Sequence, residues 1–265
     1  MAVKRKPIVG VALGSGGARG FAHIGVLKAL EAKGIEIDML AGSSMGSLIA
    51  AVYANGIEPH MMGKLALNLK RKHWLDLTVP TLGFVAGDKI KQLIRLLTHG
   101  KRIEELKKPL AIVATDIESG ERVVFREGPV DQAVRASISI PGIFVPEKVG
   151  NRLLVDGGVI DRVPVTVIRE MGADIVIAVD VAQVDTPMKV SSIFDVIAQT
   201  IDVMEREILR HRIIAADLVI RPAVGHYSSI AYSGVEEIME LGERAGEAHA
   251  EQIQELIANW EVEHG

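Results

Sequence analysis

The stretch DMLAGSSMGSLIAAVYANG, Asp38 to Gly56, decides the fold. No side chain between Asp38 and Glu58 is charged, which approaches the length of a membrane span. A spanning helix needs about 20 predominantly apolar residues, and this stretch carries three glycines, three serines and an asparagine. Just before Gly42, Ile35, Ile37 and Met39 alternate with the two-residue period of a strand. After Gly46, Leu48 to Val52 continues as a buried helix, with Gly56 as its stop. The stretch therefore reads as strand, sharp turn, helix. At the turn sits Gly42-Ser43-Ser44-Met45-Gly46, a G-x-S-x-G. That pattern presents its serine, Ser44, on a strained turn, and the glycines let neighbouring backbone come close. The helix that follows favours negative charge developing at the serine.

Upstream, Pro7 to Leu13 reads as a strand and Phe21 to Lys33 as a helix, with Ile24, Leu27 and Leu30 on one face and Gly34 as its stop. The basic start followed by PIVGVAL imitates a signal peptide, but the apolar run is short and cleavage would cut a Gly-rich loop, so a buried strand is expected. Strand and helix thus alternate, which points to a parallel sheet covered on both faces. From Glu58 to Lys108 the rhythm changes to helices and loops with clustered basic residues and no convincing strand. Strands are expected again at Leu110–Thr115, Glu121–Arg126, Arg152–Val155, Asp174–Asp180 and Leu218–Arg221. Helices are expected near Val130–Ser137, Val163–Met171, Ser191–Ala215 and Gly234–Trp260.

The 265 residues suffice for one large domain, 1–265. A net charge of −4 gives no support to a nucleic-acid partner. With no cysteine, a disulfide framework, a thiolate metal site and a cysteine nucleophile are excluded, and a cytoplasmic setting is the expectation. None of the eight histidines has metal-ligand spacing, and none stands out as a partner for Ser44.

Two further motifs bear on chemistry. Leu13 to Leu27, LGSGGARGFAHIGVL, also follows a strand and opens a helix. It fails the dinucleotide frame, since Arg19 stands where the third glycine belongs, and it lacks the Gly-Lys-Ser/Thr of a nucleotide loop. What remains is a run of exposed backbone N–H groups at a helix start beside an arginine, an arrangement that stabilises an oxyanion. In LLVDGGVIDRVPV, Leu153 to Val165, Asp156 ends an apolar strand ahead of Gly157-Gly158. An Asp-Gly pair commonly marks a turn, and it gains weight only because a serine nucleophile needs a base.

In order and spacing, GSGGARG (Gly14–Gly20), GSSMG (Gly42–Gly46) and DGG (Asp156–Gly158) resemble the patatin-like phospholipases, specifically short bacterial members. ATDIESGE (Ala114–Glu121) and ASISIPGIFVP (Ala136–Pro146) are similar too, and the resemblance runs from about Val9 to Val165. It implies a three-layer α/β/α fold with a mostly parallel central sheet and a lipid acyl hydrolase activity. It implies Ser44 as nucleophile and Asp156 as its partner in a dyad. Gly16 and Gly17 are then the oxyanion donors, in a loop of Gly14, Ser15, Gly16, Gly17, Arg19 and Gly20, with Gly42 and Gly46 framing the elbow. No metal or cofactor is implied, and the partner is a lipid or acyl ester. Residues 58–108 are expected to form a helical substrate-access region. Within it Met61, Met62, Leu65, Leu69 and Trp74, interleaved with Lys64, Lys70, Arg71 and Lys72, are expected to touch a membrane surface peripherally. Ser15 and Asp161 depart from the family pattern, which usually has glycine and asparagine there. A Ser-His-Asp esterase and a non-enzymatic regulatory protein that keeps the fold remain as alternatives.

Overall fold

Strand β1 (Val9–Leu13) is buried along its whole length, because helices cover both faces of the sheet it centres. The computed structural model describes residues 5–73, 75–79, 81–182, 190–211, 215–230 and 233–264. β1 pairs in parallel with β2 (Met39–Ser43) and with β9 (Ile175–Val179). β9 pairs in parallel with β10 (Leu218–Ile220), and β2 with β4 (Leu110–Asp116). Beyond β4 the direction reverses. β8 (Arg152–Asp156) and β5 (Arg122–Phe125) both run antiparallel to β4, and β7 (Glu147–Val149) runs antiparallel to β8. The order is β10-β9-β1-β2-β4-β8-β7, with β5 also on β4.

Side chains alternate across this sheet as the pleat requires. Val11, Leu13, Leu40, Ile112 and Ile177 face one layer, which includes α1 (Ala22–Ala32), α2 (Met45–Ala54) and α8 (Val235–His264). Ala12, Ala41, Val113, Val176 and Ala178 face the other, where α6 (Val165–Glu170) supplies Val165, Val167 and Ile168. The small residues on this second face match the short helix that packs there.

Residues 58–108 form α3 (Pro59–Asn68) and α4 (Asp88–Leu97), as expected, but also a strand, β3 (Gly83–Val85). It pairs in parallel with β6 (Gly142–Phe144), apart from the main sheet. The expectation of no strand here is corrected. Three residues are too few to show a period, and β6 and β7 escape the sequence for the same reason. α5 (Val130–Ser137) packs on β4 and α4, and α7 (Ile193–His211) approaches the C-terminal side of β8.

Candidate active site

Ser44 alone makes the turn between β2 and α2, at φ 52° and ψ −128°. A non-glycine residue pays about 1–3 kcal/mol for such a conformation, so its surroundings must hold it there. Its N–H donates to the Ser137 hydroxyl at 2.9 Å. Its carbonyl accepts from Ser47 twice, from N–H at 2.9 Å and from Oγ at 2.7 Å. Gly46 lets the first turn of α2 sit on the end of β1, where a Cβ would overlap the Leu13 carbonyl. At Gly42 a Cβ would overlap the Ser47 backbone.

Asp156 reaches Ser44 through the register of the sheet. On β4, Val113 pairs with Ser43 and the next residue, Ala114, pairs with Asp156. The Ser44 hydroxyl donates to Asp156 Oδ2 at 2.5 Å, and Gly158 N–H donates to Oδ1 at 2.8 Å. The Asp156 N–H donates to Ser139 O and its carbonyl accepts from Thr115 Oγ1, both at 2.9 Å. Burial pushes the carboxyl up from 3.8 to about 6, against the pull of Ser44, the Gly158 N–H and Arg162, and with a further push from Asp202.

The Gly-rich loop crosses beside them. Gly14 N–H donates to Val179 O, Ser15 N–H to Arg162 O and Ala18 N–H to Ser229 O, at 3.0, 2.9 and 2.7 Å. The N–H groups of Gly16 and Gly17 meet no acceptor among the described residues, and both glycines line a cavity with Ser44 and Asp156. Gly17 takes φ 56° under the Ser229 carbonyl, so only glycine fits without strain. Gly20 packs on Met45. Ser15 Oγ donates to Ser43 Oγ at 3.2 Å. Arg19 is buried, its Nε 3.4 Å from Gly16 O and its Nη2 paired with Asp202. His23 is buried as well, and its Nε2–H donates to Gly14 O at 2.8 Å. Burial pulls this imidazole down to about 4, which keeps it neutral.

Two cavities meet at Ser44. One carries the polar side chains of Ser15, Asp156, Asp202 and Glu205 beside the apolar Ile140 and Ile201. The other is apolar and is bounded by Phe21, Leu48, Leu69, Ile90, Ile138 and Phe144. Among the described residues no histidine lines either. Leu69 and Ile90 thus bring the 58–108 region to the site, whereas Trp74 lies outside the described residues. Met61 and Leu65 are exposed, and Met62 is buried in the core.

The sequence had not singled out Ser137, Arg162, Asp202 or Glu205. Asp202 and Glu205 share a face of α7 with Ala198 and Ile201, all lining the polar cavity. Two acids on a helix's inward stripe are the signal that was available, since buried carboxylates are rare without partners.

The sequence profile of the patatin-like phospholipases matches residues 11–168, more than half of the chain. An uncharacterized NTE family protein of Mycobacterium tuberculosis is 43% identical over 176 residues, covering 65% of this chain and 49% of its own length. Lysophospholipase nte1 of Aspergillus fumigatus is 30% identical over 281 residues, covering 92% of this chain and 18% of its own. The chain therefore spans about half, or much less, of the relatives it matches. In structure it is similar to VipD from Legionella pneumophila, with a TM-score of 0.65 at 12% identity, over 93% of this chain and 67% of that one. The fold is accordingly the mixed α/β fold of that structure, with a mostly parallel sheet. By the match of its profile across the Gly-rich loop, the elbow and the Asp-Gly-Gly turn, this chain belongs to the patatin-like phospholipase family.

Proposed function

We propose that this chain hydrolyses carboxylic esters of lipids with a Ser44–Asp156 dyad. The observation that carries the reading is the 2.5 Å hydrogen bond from the Ser44 hydroxyl, held on its strained turn, to a buried carboxylate. Ser44 Oγ attacks the ester carbonyl while Asp156 takes its proton. The tetrahedral oxyanion is received by the Gly16 and Gly17 N–H groups, which have no acceptor among the described residues. Asp156 returns the proton to the leaving alcohol, and water then cleaves the acyl-enzyme by the same route in reverse. A carboxyl raised to about 6 is a stronger base than an ordinary aspartate and is still ionised at neutral pH.

The two cavities support a lipid substrate: the apolar one suits an acyl chain, and the polar one suits the alcohol side of the ester. The family, and the Aspergillus relative named a lysophospholipase, point the same way. No helix among the described residues is long and apolar enough to cross a membrane. Lipid access is instead assigned to the 58–108 region, where Met61, Leu65, Leu77, Val79 and Leu82 are exposed. The test is labelling by a serine-directed fluorophosphonate, with hydrolysis of a short-chain nitrophenyl ester and of lysophospholipid alongside. The wild type is expected to be labelled at Ser44 and to turn over. A folded protein that neither reacts nor hydrolyses overturns the proposal.

A further inference from the structure

Arg162 ties the oxyanion loop to helix α7. Its carbonyl accepts the Ser15 N–H at 2.9 Å, one residue before Gly16, and so fixes the loop that supplies the oxyanion donors. Its guanidinium is buried. Nη1 lies 2.7 Å from Glu205 Oε2, and Nη2 lies 3.8 Å from Asp202 Oδ1. Both acids come from α7, and Asp202 is shared with Arg19 of the loop. The Glu205 carboxylate packs against Gly158, where a Cβ would stand 2.6 Å from Oε1, and the Gly158 N–H is the one bound to Asp156 Oδ1. Asp156, Asp202 and Glu205 all line the polar cavity.

This is poor construction for stability. Among the described residues Nε, Nη1 and Nη2 of Arg162 make no well-directed hydrogen bond, so the contact with Glu205 is an ion pair without that alignment. Each buried donor left unsatisfied costs about 1–3 kcal/mol, and a buried ion pair seldom repays its own desolvation. What a buried cation does supply is a strong local field.

We infer that Arg162 is a positioning residue of this site: its carbonyl sets the oxyanion loop, and its guanidinium, held by Asp202 and Glu205 of α7, places a buried positive charge behind the cavity wall that Asp156 shares with those two acids. The inference rests on reading Asp156 as the acceptor of the serine proton.

The charged and titratable groups around the acceptor are few. Arg162 favours its ionisation and Asp202 opposes it, while Ser44 and the Gly158 N–H bind the ionised form. Glu205 is pushed up to about 8, chiefly by burial, against the pull of Arg162 and Arg19 and with the push of Asp156 and Asp202. The sign follows. Removing the cation raises the Asp156 midpoint, and removing the Asp202 charge lowers it.

The experiment compares wild type, Arg162→Met, Arg162→Lys and Asp202→Asn. It follows the fluorophosphonate labelling rate against pH and, independently of any turnover, the titration of the Asp156 carboxyl carbon by 13C NMR, assigned by its loss in Asp156→Asn. Arg162→Met is expected to move the acid midpoint upward by roughly one pH unit, lowering kcat with little change in KM. Arg162→Lys should keep the midpoint near that of the wild type, and Asp202→Asn should lower it. An unmoved or lowered midpoint in folded Arg162→Met overturns the inference. Should Arg162→Met not fold, a raised or unmoved midpoint in Asp202→Asn does so. The arms separate cleanly from the parent reading: undiminished hydrolysis by Ser44→Ala sinks the dyad, while the carboxyl titration still decides the role of Arg162.

Discussion

The backbone N–H of Ser44 is bound by the side chain of Ser137, at 2.9 Å, from the end of a different helix. The elbow is therefore held from outside as well as by its own turn. In Ser137→Ala the buried N–H loses its acceptor, at a cost of about 1–3 kcal/mol. A lower thermal midpoint and a slower nucleophile are expected. Unchanged melting and unchanged turnover would show that the elbow holds itself.

Ser44→Ala should leave a folded protein with neither ester hydrolysis nor fluorophosphonate labelling. Ser43→Ala is the control, because it loses only the 3.2 Å contact with Ser15 and should retain turnover. An inactive Ser43→Ala beside an active Ser44→Ala would reverse the assignment.

Asp156→Asn should be as damaging to activity as Ser44→Ala, since an amide cannot accept the proton. Wild-type rates should fall as pH drops through about 6. Stability should move the other way. The folded-state value is raised above the ordinary 3.8, so this carboxyl favours folding below 3.8 and loses that contribution as pH rises to about 6. Above pH 6 the asparagine variant is then expected to be more stable than the wild type by up to about 3 kcal/mol, and below pH 4 the advantage should vanish. Denaturant melts at pH 4 and 8 measure it. Equal differences at both values would show that the carboxyl is not strained by its burial.

Single His→Ala variants should keep turnover, with some loss in His23→Ala, whose bond to Gly14 O is removed. If a folded histidine variant drops to the Ser44→Ala background, that histidine is the base and the dyad is wrong.

Neutralising Lys70, Arg71 and Lys72 together should weaken co-sedimentation with anionic vesicles while leaving hydrolysis of a water-soluble ester intact. Equal vesicle binding by the two proteins would remove the basic segment from the membrane contact.

The parallel half of the sheet was legible because β1, β2, β4 and β9 are long enough for their apolar runs to stand out between turn residues. The elbow was legible for the same reason, being fixed by its immediate neighbours. Asp156 was not legible on its own, since Asp-Gly-Gly also spells an ordinary turn. Only the resemblance singled it out, and its approach to Ser44 depends on the pairing of β8 with β4. Arg162, Asp202 and Glu205 were hidden for a different reason. A charged residue on a helix or a turn reads as solvated until the element packed over it is known, and α7 covers this site from far along the chain.

That β4–β8 pairing has a consequence for how the protein comes into being. The elbow and its two flanking elements close over a few residues, whereas the bond from Ser44 to Asp156 joins positions 112 apart. Contacts so distant in sequence form late, after the loop entropy between them has been overcome. During refolding, the serine turn should thus appear before the serine becomes reactive, and labelling of Ser44 would clock the arrival of β8 beside β4.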